Sequence, residues 1–527
     1  MRQRFERLAG RFRRNLEDCI RIDTRSLAVF RIFVGLLIVA DLLLRSRNFS
    51  FYYTDDGVVP QSLATELSAD GAFSIYHLTT DPTLIAGLFV LQGLIAIQLI
   101  VGYKTRIATI LSFLLVVSLD HHNPLVLSYA DTLFRLLLFW AIFLPLGERW
   151  SIDAVHAGRE PRESVAGIAS ALILGQMVFM YFLNWYHKSQ DELWTGGDAT
   201  PLIMGLDDMT YLLAGTLRQF PALLELGTYL WYYMLMGSWL LILLVGRKRM
   251  ALVALFMGGH ASFIVTVRIG AFPYVALAGL TLFLQAQFWR DLRAVVDWLE
   301  VDTSRVSGFR SRLETRAGAV PYPRLQRPSI DRAKSTLHSA TLAVVFVSLV
   351  LFSTVTYLPL AGVGEAGSGP PEPVDDVASS FGVSQPEWSV FAPTPRTTDR
   401  YYVFPAETVD GERIDVYNER DMTFDRPSDE LQTQYDTYRE RFYMNSVRRG
   451  GFDDNDVPVH LAEYYCTTWA EENDVELTHL SMYVVYEDIT METIDDYDER
   501  ERSWGLMYRH GCGDNEREVI ERPDFEA

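Results

Sequence analysis

The feature that most constrains this 527-residue chain is a series of long apolar runs separated by polar turns. A helix needs about 20 mostly apolar residues to cross the roughly 30 Å hydrocarbon core of a bilayer. Nine runs approach or reach that length, at residues 26–45, 83–101, 106–119, 125–146, 164–186, 223–245, 250–267, 272–288 and 337–358. The first is no secretion signal, because it carries Arg31 and Asp41 and no cleavage pattern follows it. The runs predict an α-helical polytopic membrane bundle of about nine transmembrane helices.

Positive charge collects on alternate connections between these runs. The N-terminal arm, the turns at 104–106 and 247–249, and the loop 290–334 are rich in arginine and lysine. Such loops favour the cytoplasmic side, so the loops 48–81, 120–124 and 187–219 are predicted outside. An odd number of spans also places the C-terminus outside. The chain is therefore predicted to be a multi-pass cell membrane protein with a cytoplasmic N-terminus and an extracellular C-terminal domain.

Negative charge collects in the tail. From residue 360 onward the chain has 39 Asp and Glu against 14 Arg and no Lys, a balance of −25, whereas the whole chain carries −20. An acidic, lysine-poor surface is typical of proteins bathed in strong salt, which screens carboxylate repulsion. We therefore expect a halophilic source, such as a haloarchaeon; an acidic tail that binds a basic partner is the alternative. The predicted domains are a transmembrane domain at 1–359, a linker at 360–380 and an acidic domain at 381–527.

The tail has the composition of a folded α+β domain. Apolar alternation at 401–403 and 414–417, with Asp410 and Gly411 between them, predicts a β-hairpin. Helical patterns cover 429–444 and 459–472, and a strand is predicted at 480–486. Cys466 and Cys512 both lie in this domain and could form a disulfide, whereas Cys19 is predicted to be cytoplasmic and reduced. The cysteine spacing predicts no metal site.

Lys188 is the residue that most needs an explanation. The chain contains only four lysines, at 104, 188, 248 and 334, and the predicted topology places only Lys188 on the outer side. Lysine, unlike arginine, can lose its proton and act as a base where removal from water disfavours its charge. The alternative is a lysine that only snorkels from a helix end to the interface.

Further polar candidates lie at the predicted outer half of the bundle. Ionisable residues within spans are costly and are functional candidates by default. The candidates are His121, His122, Asn123, Trp194, His260, Arg268 and Tyr274, with Asp131 and Arg135 as an expected ion pair on one helix face. Some of them also have a structural interpretation: His121 and His122 as loop residues, His260 as an interhelical hydrogen-bond donor, and the Asp131–Arg135 pair as a structural ion pair.

Several of these segments resemble one known family. The block GHASFIVTVRIGAFPYVALA at 259–278 resembles the vitamin K-dependent gamma-carboxylase family, also called the HTTM, or horizontally transferred transmembrane, family. Tyr181 and Phe182, with Lys188 six residues after Phe182 and Trp194 beyond it, are similar to the stretch that carries the family's catalytic lysine. The phrase WSVFAPTP at 388–395 is similar to one that follows the last span in microbial members.

The resemblance implies a mechanism and a set of roles. In the family a lysine base deprotonates a reduced naphthoquinone, which reacts with O2, and the resulting strong base removes a γ-proton from glutamate so that CO2 adds. Lys188 would be the base, assisted by His122 and His260. The substrate-binding residues would be His121, Asn123, Trp194, Arg268 and Tyr274. No metal is implied. The order His121-His122-Asn123 differs from the animal pattern, so quinol oxidation is implied more directly than carboxylation.

The resemblance leaves more than one class of function open. A quinol-dependent carboxylase-like or epoxidase-like membrane enzyme is favoured, with membrane lipid and quinone, and a surface protein or peptide substrate, as partners and no nucleic acid. The alternative is a non-catalytic quinone- or lipid-binding membrane protein with an external partner-binding domain. A metal-dependent membrane oxygenase is disfavoured, because the ten histidines form no HxxxH or HxxHH boxes. A transporter is also disfavoured, because the sequence shows no internal repeat of the kind common in transporters.

Overall fold

Apolar runs form helices whose ends coincide with capping and turn residues. In the computed structural model of this chain, the residues described are 2–323 except 70, 301 and 303, then 336, 340 and 341, and 372–520 except 454. The ninth predicted span, 337–358, lies almost wholly outside the described residues, as does most of the predicted linker. The helix Pro82–Val101 shows how capping residues fix its ends. The Asp81 carboxylate accepts hydrogen bonds from its first amides, and Gly102, with a φ of +68°, ends it.

The helical region, residues 2–323, contains eleven longer helices among its described residues. They are α1 Arg2–Cys19, α2 Thr24–Arg47, α3 Pro82–Val101, α4 Thr105–His122, α5 Tyr129–Ala141, α6 Ile168–Lys188, α7 Pro221–Met236, α8 Arg247–Ile264, α9 Phe272–Thr281, α10 Ala286–Trp298 and α11 Ser304–Ala319. Shorter helices are Phe49–Tyr53, Gln61–Glu66, Ile152–His156, Glu192–Gly196, Ala199–Met204, Ala214–Arg218 and Leu240–Leu243. The strands β1 Ile22–Asp23 and β2 Ser164–Val165 pair antiparallel.

Three of the described helices, α2, α3 and α6, are long and apolar enough to cross a membrane, and α9 is a shorter apolar helix. Nine spans remain a prediction. Two predicted spans are interrupted: 223–245 breaks after Met236, and 272–288 breaks after Thr281. At the second break, Gln285 accepts a hydrogen bond from the Gly246 amide and donates one to the Asp18 carbonyl. This polar side chain ties three segments together, so the chain turns where average hydropathy predicts continuation.

Close packing joins the helices into one core. α2 packs against α3 and α9, and α6 packs against α5 and α7. A Cβ at Gly35 of α2 would lie 2.5 Å from the Ile100 side chain, so only glycine allows α3 to approach this closely. Arg31, fully buried, donates to the carbonyls of Leu146, Arg149 and Trp150. Its guanidinium therefore satisfies backbone acceptors after α5 instead of facing lipid.

The C-terminal domain, residues 381–520, is built on an antiparallel sheet. Its strands are β3 Thr398–Val403, β4 Pro405–Thr408, β5 Arg413–Asp415, β6 Arg420–Asp421, β7 Leu477–Asp488 and β8 Arg502–Gly511. The long strand β7 pairs with β3 along 483–488, with β4 along 477–480, and with β8. Helix α12, Glu372–Ser380, precedes the domain, and α13 Tyr438–Phe452 and α14 Val457–Asn473 lie within it. A disulfide joins Cys466 to Cys512.

The domain is α+β, but two details of its prediction are wrong. The hairpin around Gly411 joins β4 to β5, whereas 401–403 pairs with β7, far away in sequence. The helix predicted at 429–444 begins only at Tyr438, because the Thr437 side chain caps it by accepting from the Glu440 amide. The residues before it form bends and a short 3-10 turn, Leu431–Gln434.

Buried ion pairs dock the C-terminal domain onto the helical region. The Asp399 carboxylate of β3 accepts the amide N–H groups of Asp207 and Asp208, at 2.6 and 2.9 Å. Arg500 bridges Asp207 and Asp399, at 3.1 and 3.2 Å. Burial raises the pKa of the Asp208 carboxyl, but Arg396 and Arg441 outweigh it and hold that pKa below its usual value. Asp208 therefore stabilises the docked arrangement at neutral pH, and this contribution is lost as the pH falls through its folded pKa.

Candidate functional site

Lys188 lies in the last turn of α6, where the helix dipole favours a cation. Its side chain is only 1% exposed. The Nζ atom donates to the carbonyl oxygens of Val390 and Phe391, at 2.6 and 3.2 Å, and lies 3.8 Å from the centre of the Trp194 ring. The amine is therefore enclosed by protein and does not reach outward to water as a snorkelling lysine does.

The enclosure is made by a short piece of the C-terminal domain, segment 388–391. Asn184, one turn before Lys188 on α6, donates through Nδ2 to the carbonyls of Trp388 and Val390, at 2.7 and 3.1 Å. The Trp194 indole donates to the Phe391 carbonyl at 2.9 Å. Segment 388–391 is thus held over the end of α6 by three different side chains, and it covers Lys188.

Beside Lys188 lies an apolar cavity of about 340 Å³, called here the lysine cavity. Helices α6, α7 and α8 and segment 388–391 form its walls. Its lining is almost entirely aliphatic and aromatic, and the polar side chains that join Lys188 in it include Asn184 and Tyr181. Aromatic rings of Trp194, Trp231 and Phe272 contribute to the surface. An apolar cavity with a few polar groups in its lining is typical of sites for small apolar ligands.

His260 lies next to the lysine cavity but does not line it. The adjacent Gly259 is a lining residue, whereas the His260 ring is fully buried. Its Nε2 lies 2.8 Å from the hydroxyl of Tyr181, which does line the cavity. Within the described residues its Nδ1 has no hydrogen-bond partner. His260 therefore reaches the cavity through side chains that line it: the hydroxyl of Tyr181 and the rings of Trp231, Phe263 and Phe272.

The predicted 121–123 cluster lies elsewhere. His121 Nδ1 is 3.0 Å from the Phe73 carbonyl, and His122 Nε2 is 3.3 Å from that of Tyr53. Asn123 donates to the Tyr52 carbonyl at 3.0 Å. None of the three lines the lysine cavity. The end of α4 is fixed by the carbonyls of Tyr52, Tyr53 and Phe73, so His122, which the resemblance assigns as an assistant of Lys188, does not border the cavity beside that lysine.

Arg268 and Tyr274 line a second cavity, and not the lysine cavity. The predicted ion pair between Asp131 and Arg135 is also wrong. Asp131 pairs with Arg439 at 3.0 Å, and Arg135 pairs with Asp120 at 3.1 Å. Asp131 and Arg135 do lie four residues apart on α5, but the buried Arg439 of the C-terminal domain, and not Arg135, pairs with Asp131.

Sequence reasoning missed the partners of Lys188. Asn184 was readable in principle, because a polar residue four positions before Lys188 lies on the same helix face. The carbonyls of Val390 and Phe391 were not readable, since backbone atoms 202 and 203 residues away carry no side-chain signal. The phrase at 388–395 did mark the segment, but not its position over the lysine.

A family model described as the HTTM domain matches residues 20–289, just over half of the chain. The chain belongs to the HTTM family. This confirms the membership indicated by the block at 259–278 and by the context of Lys188. No curated protein and no solved structure shows significant similarity to the chain.

The matched HTTM region contains Lys188, Trp194, His260, Arg268 and Tyr274. It therefore supplies the amine and most of the walls of the lysine cavity. Segment 388–391 lies about a hundred residues beyond the end of the HTTM match, although it contacts the amine directly.

Proposed function

We propose that this HTTM protein is a membrane enzyme that oxidises a reduced naphthoquinone with O2, with Lys188 as the base. The observation that carries the proposal is a buried amine at the wall of an apolar cavity. The two fused rings of a naphthoquinone are flat and apolar, and aromatic side chains such as Trp231 and Phe272 offer flat apolar surfaces against which they can pack. A volume of about 340 Å³ lies within the range of small-molecule sites.

The contacts of Lys188 suit both protonation states that a base must adopt. A neutral amine has two N–H groups, and the carbonyls of Val390 and Phe391 provide two acceptors. After proton uptake the ammonium gains a third donor, and the Trp194 ring, 3.8 Å from Nζ, favours a cation over its face. When bound, the reduced naphthoquinone would supply the acidic hydroxyl and the electrons that reduce oxygen.

Coupled carboxylation of a glutamate, with CO2 as co-substrate, is the finer form of this proposal. Its test is mass spectrometry of surface proteins co-expressed with the enzyme. γ-Carboxyglutamate that depends on Lys188 supports coupling. Oxygen uptake without that product limits the activity to quinol oxidation, which is consistent with the position of His122 and Asn123 away from the lysine cavity.

The cavity itself can be tested by filling it. Gly227 lies in the cavity wall on α7, and a Cβ there would meet only the Thr200 methyl, at 4.0 Å. Gly227→Leu is expected to reduce naphthoquinol-dependent oxygen uptake by at least about tenfold, because its side chain occupies the ligand volume. Oxygen consumption by the purified full chain, supplied with a reduced naphthoquinone, is the measurement.

Gly87→Leu is the matched control for the cavity test. Gly87 is an exposed position on α3, and nothing lies within 4 Å of a Cβ built there. This variant should retain full oxygen uptake. If Gly227→Leu also retains it, the lysine cavity does not hold the substrate.

A second candidate function is binding without catalysis, as a quinone- or lipid-binding protein. The observation that favours it is that Lys188 is already engaged by two carbonyls and one ring, as a structural cation would be. Equilibrium binding of an unreactive naphthoquinone, lost in Gly227→Leu, combined with no oxygen uptake by the unaltered protein, would support binding alone. Oxygen uptake that depends on the reduced ring would exclude it.

A further inference from the structure

Helix α10 presents a stripe of apolar side chains at the protein surface. Phe288, Leu292 and Val295 follow one another at spacings of four and three residues, and Leu299 continues the stripe just past the helix end. Such spacing places side chains on one face of a helix. Phe288 packs against the core. The three residues beyond it are 42%, 49% and 57% exposed, so most of the stripe faces outward.

The opposite face of α10 is charged. Arg290 and Arg293 are exposed there, and Asp297 lies between them around the helix. Beside this face, Asp291 pairs with Arg247 of α8 at 3.2 Å. A helix with an apolar stripe on one side and charged groups on the other is suited to the plane in which acyl chains meet lipid head groups.

Aromatic and arginine side chains fix the start of α10 at the first turn of α2. The Trp289 indole donates to the Ser26 hydroxyl at 3.0 Å. The Arg25 guanidinium lies over the Trp289 ring, 5.5 Å from its centre, and the Trp150 ring packs against it edge-on with 5.8 Å between centroids. Tryptophan is enriched where a protein passes from hydrocarbon to head groups, so this cluster has the composition of a membrane boundary.

Helix α2 sets the depth at which α10 lies. Its 24 residues extend for about 36 Å at 1.5 Å per residue, slightly more than the roughly 30 Å of hydrocarbon in a bilayer. In a bilayer crossed by α2, the first turn of this helix therefore lies at one boundary, together with Trp289. Asp41, near the other end of α2, pairs with Arg439 of the C-terminal domain. The boundary at α10 is therefore the one remote from that domain.

The surroundings of α10 are basic. Helix α1 carries six arginines against three acidic residues, and it ends beside α10. The contact is made by Gln285, just before α10, whose side-chain amide donates to the Asp18 carbonyl at 3.1 Å. Arginine binds phosphate through charge-assisted hydrogen bonds. The charge around α10 therefore complements a layer of phospholipid head groups.

We propose that α10 lies in the boundary layer of a phospholipid bilayer, with Leu292, Val295 and Leu299 against the acyl chains and Arg290 and Arg293 among the phosphates. The acyl chains remove the apolar stripe from water, which is the favourable direction for exposed apolar surface. Helix α10 is then a lipid-binding surface distinct from the three helices that are long enough to cross a membrane. Its contact with lipid does not depend on the proposed oxidation.

Spin labels on single cysteines measure where α10 lies. The full chain is reconstituted into vesicles of phosphatidylcholine and phosphatidylglycerol, and Cys19→Ser leaves only the disulfide-bonded cysteines. Leu292→Cys and Val295→Cys then place labels on the stripe, and Arg293→Cys places one on the charged face. Paramagnetic resonance compares collisions of each label with O2, which concentrates among acyl chains, and with a nickel chelate, which stays in water.

The ratio of O2 to nickel collisions is expected to be at least about threefold higher at positions 292 and 295 than at 293, because only the stripe enters the acyl region. Three results overturn the proposal. Stripe labels that collide mainly with the nickel chelate lie in water. Stripe labels that are shielded from both reagents are covered by protein, such as another part of this chain. A ratio at 293 as high as at 292 places the whole helix within hydrocarbon.

A charge placed in the stripe tests whether the apolar side chains cause this position. Val295→Asp is expected to lower the ratio at a label on position 292 by at least about twofold, because a carboxylate among acyl chains is costly. Ala294→Asp is the matched control: it adds the same charge at the neighbouring exposed position, outside the stripe, and should leave the ratio unchanged. If Val295→Asp behaves like this control, the apolar stripe does not hold α10 in the membrane and the proposal is wrong.

Discussion

Replacing Lys188 with methionine is expected to reduce naphthoquinol-dependent oxygen uptake at least about 100-fold. Methionine is similar in length and apolar, but it has no amine to accept a proton, and positioned acid–base groups contribute about 10²- to 10⁴-fold. The fold should survive, because both carbonyls that Lys188 contacts keep another donor. Val390 retains Asn184, and Phe391 retains the Trp194 indole. Oxygen consumption and thermal unfolding of the same preparation are the two measurements.

The pair of measurements separates a base from a structural cation. A base predicts lost oxygen uptake with a nearly unchanged unfolding temperature, whereas a structural cation predicts a lowered unfolding temperature. Lys248→Met removes an exposed lysine from the first turn of α8 and serves as the control for the loss of charge. Unchanged oxygen uptake in Lys188→Met would leave the proposed reaction without its base.

Replacing Asp399 with alanine is expected to release the C-terminal domain from the loop at 205–213. The change leaves Arg500 short of one fully buried partner and removes the acceptor of the Asp207 and Asp208 amides. Breaking a buried ion pair from one side costs about 3–5 kcal/mol. Because 1.4 kcal/mol is a factor of ten, hydrogen exchange at these two amides should accelerate by about 100-fold or more.

Asp410→Ala provides the comparison for this experiment. Asp410 lies exposed at the β4–β5 turn, where a substitution should change stability by no more than about 0.5 kcal/mol. Exchange at Asp207 and Asp208 should stay slow in this variant. Equally slow exchange in Asp399→Ala would show that the buried network does not hold the domain in place.

Much of the local structure could be predicted from the sequence, because it depends on nearby residues. The run at 83–101 lies between Asp81 and Gly102, and both of its ends were predicted to within one residue. The interruption of 272–288 was not predictable, since it depends on a hydrogen bond from Gly246 to the side chain of Gln285. Hydropathy reports how apolar a segment is, and not whether a distant amide needs an acceptor.

The candidate site, too, could be predicted only where it depends on nearby residues. Lys188 stood out because its residue type and topological position are properties of the sequence alone. Its surroundings did not, because carbonyls from segment 388–391 complete them across more than 200 residues. The role predicted for His122 beside Lys188 was wrong because the position of this histidine depends on where the end of α4 contacts Tyr53. No local sequence pattern encodes that contact.

The position of segment 388–391 has a consequence for how the protein can be divided. The match to the HTTM domain ends at residue 289, yet the amine within it is covered by segment 388–391, which comes much later in the chain. A fragment that ends at residue 289 lacks segment 388–391, so its Lys188 amine would be open to solvent even if the fragment folded correctly. The smallest unit that retains the buried amine is therefore the HTTM domain together with the C-terminal domain that covers it.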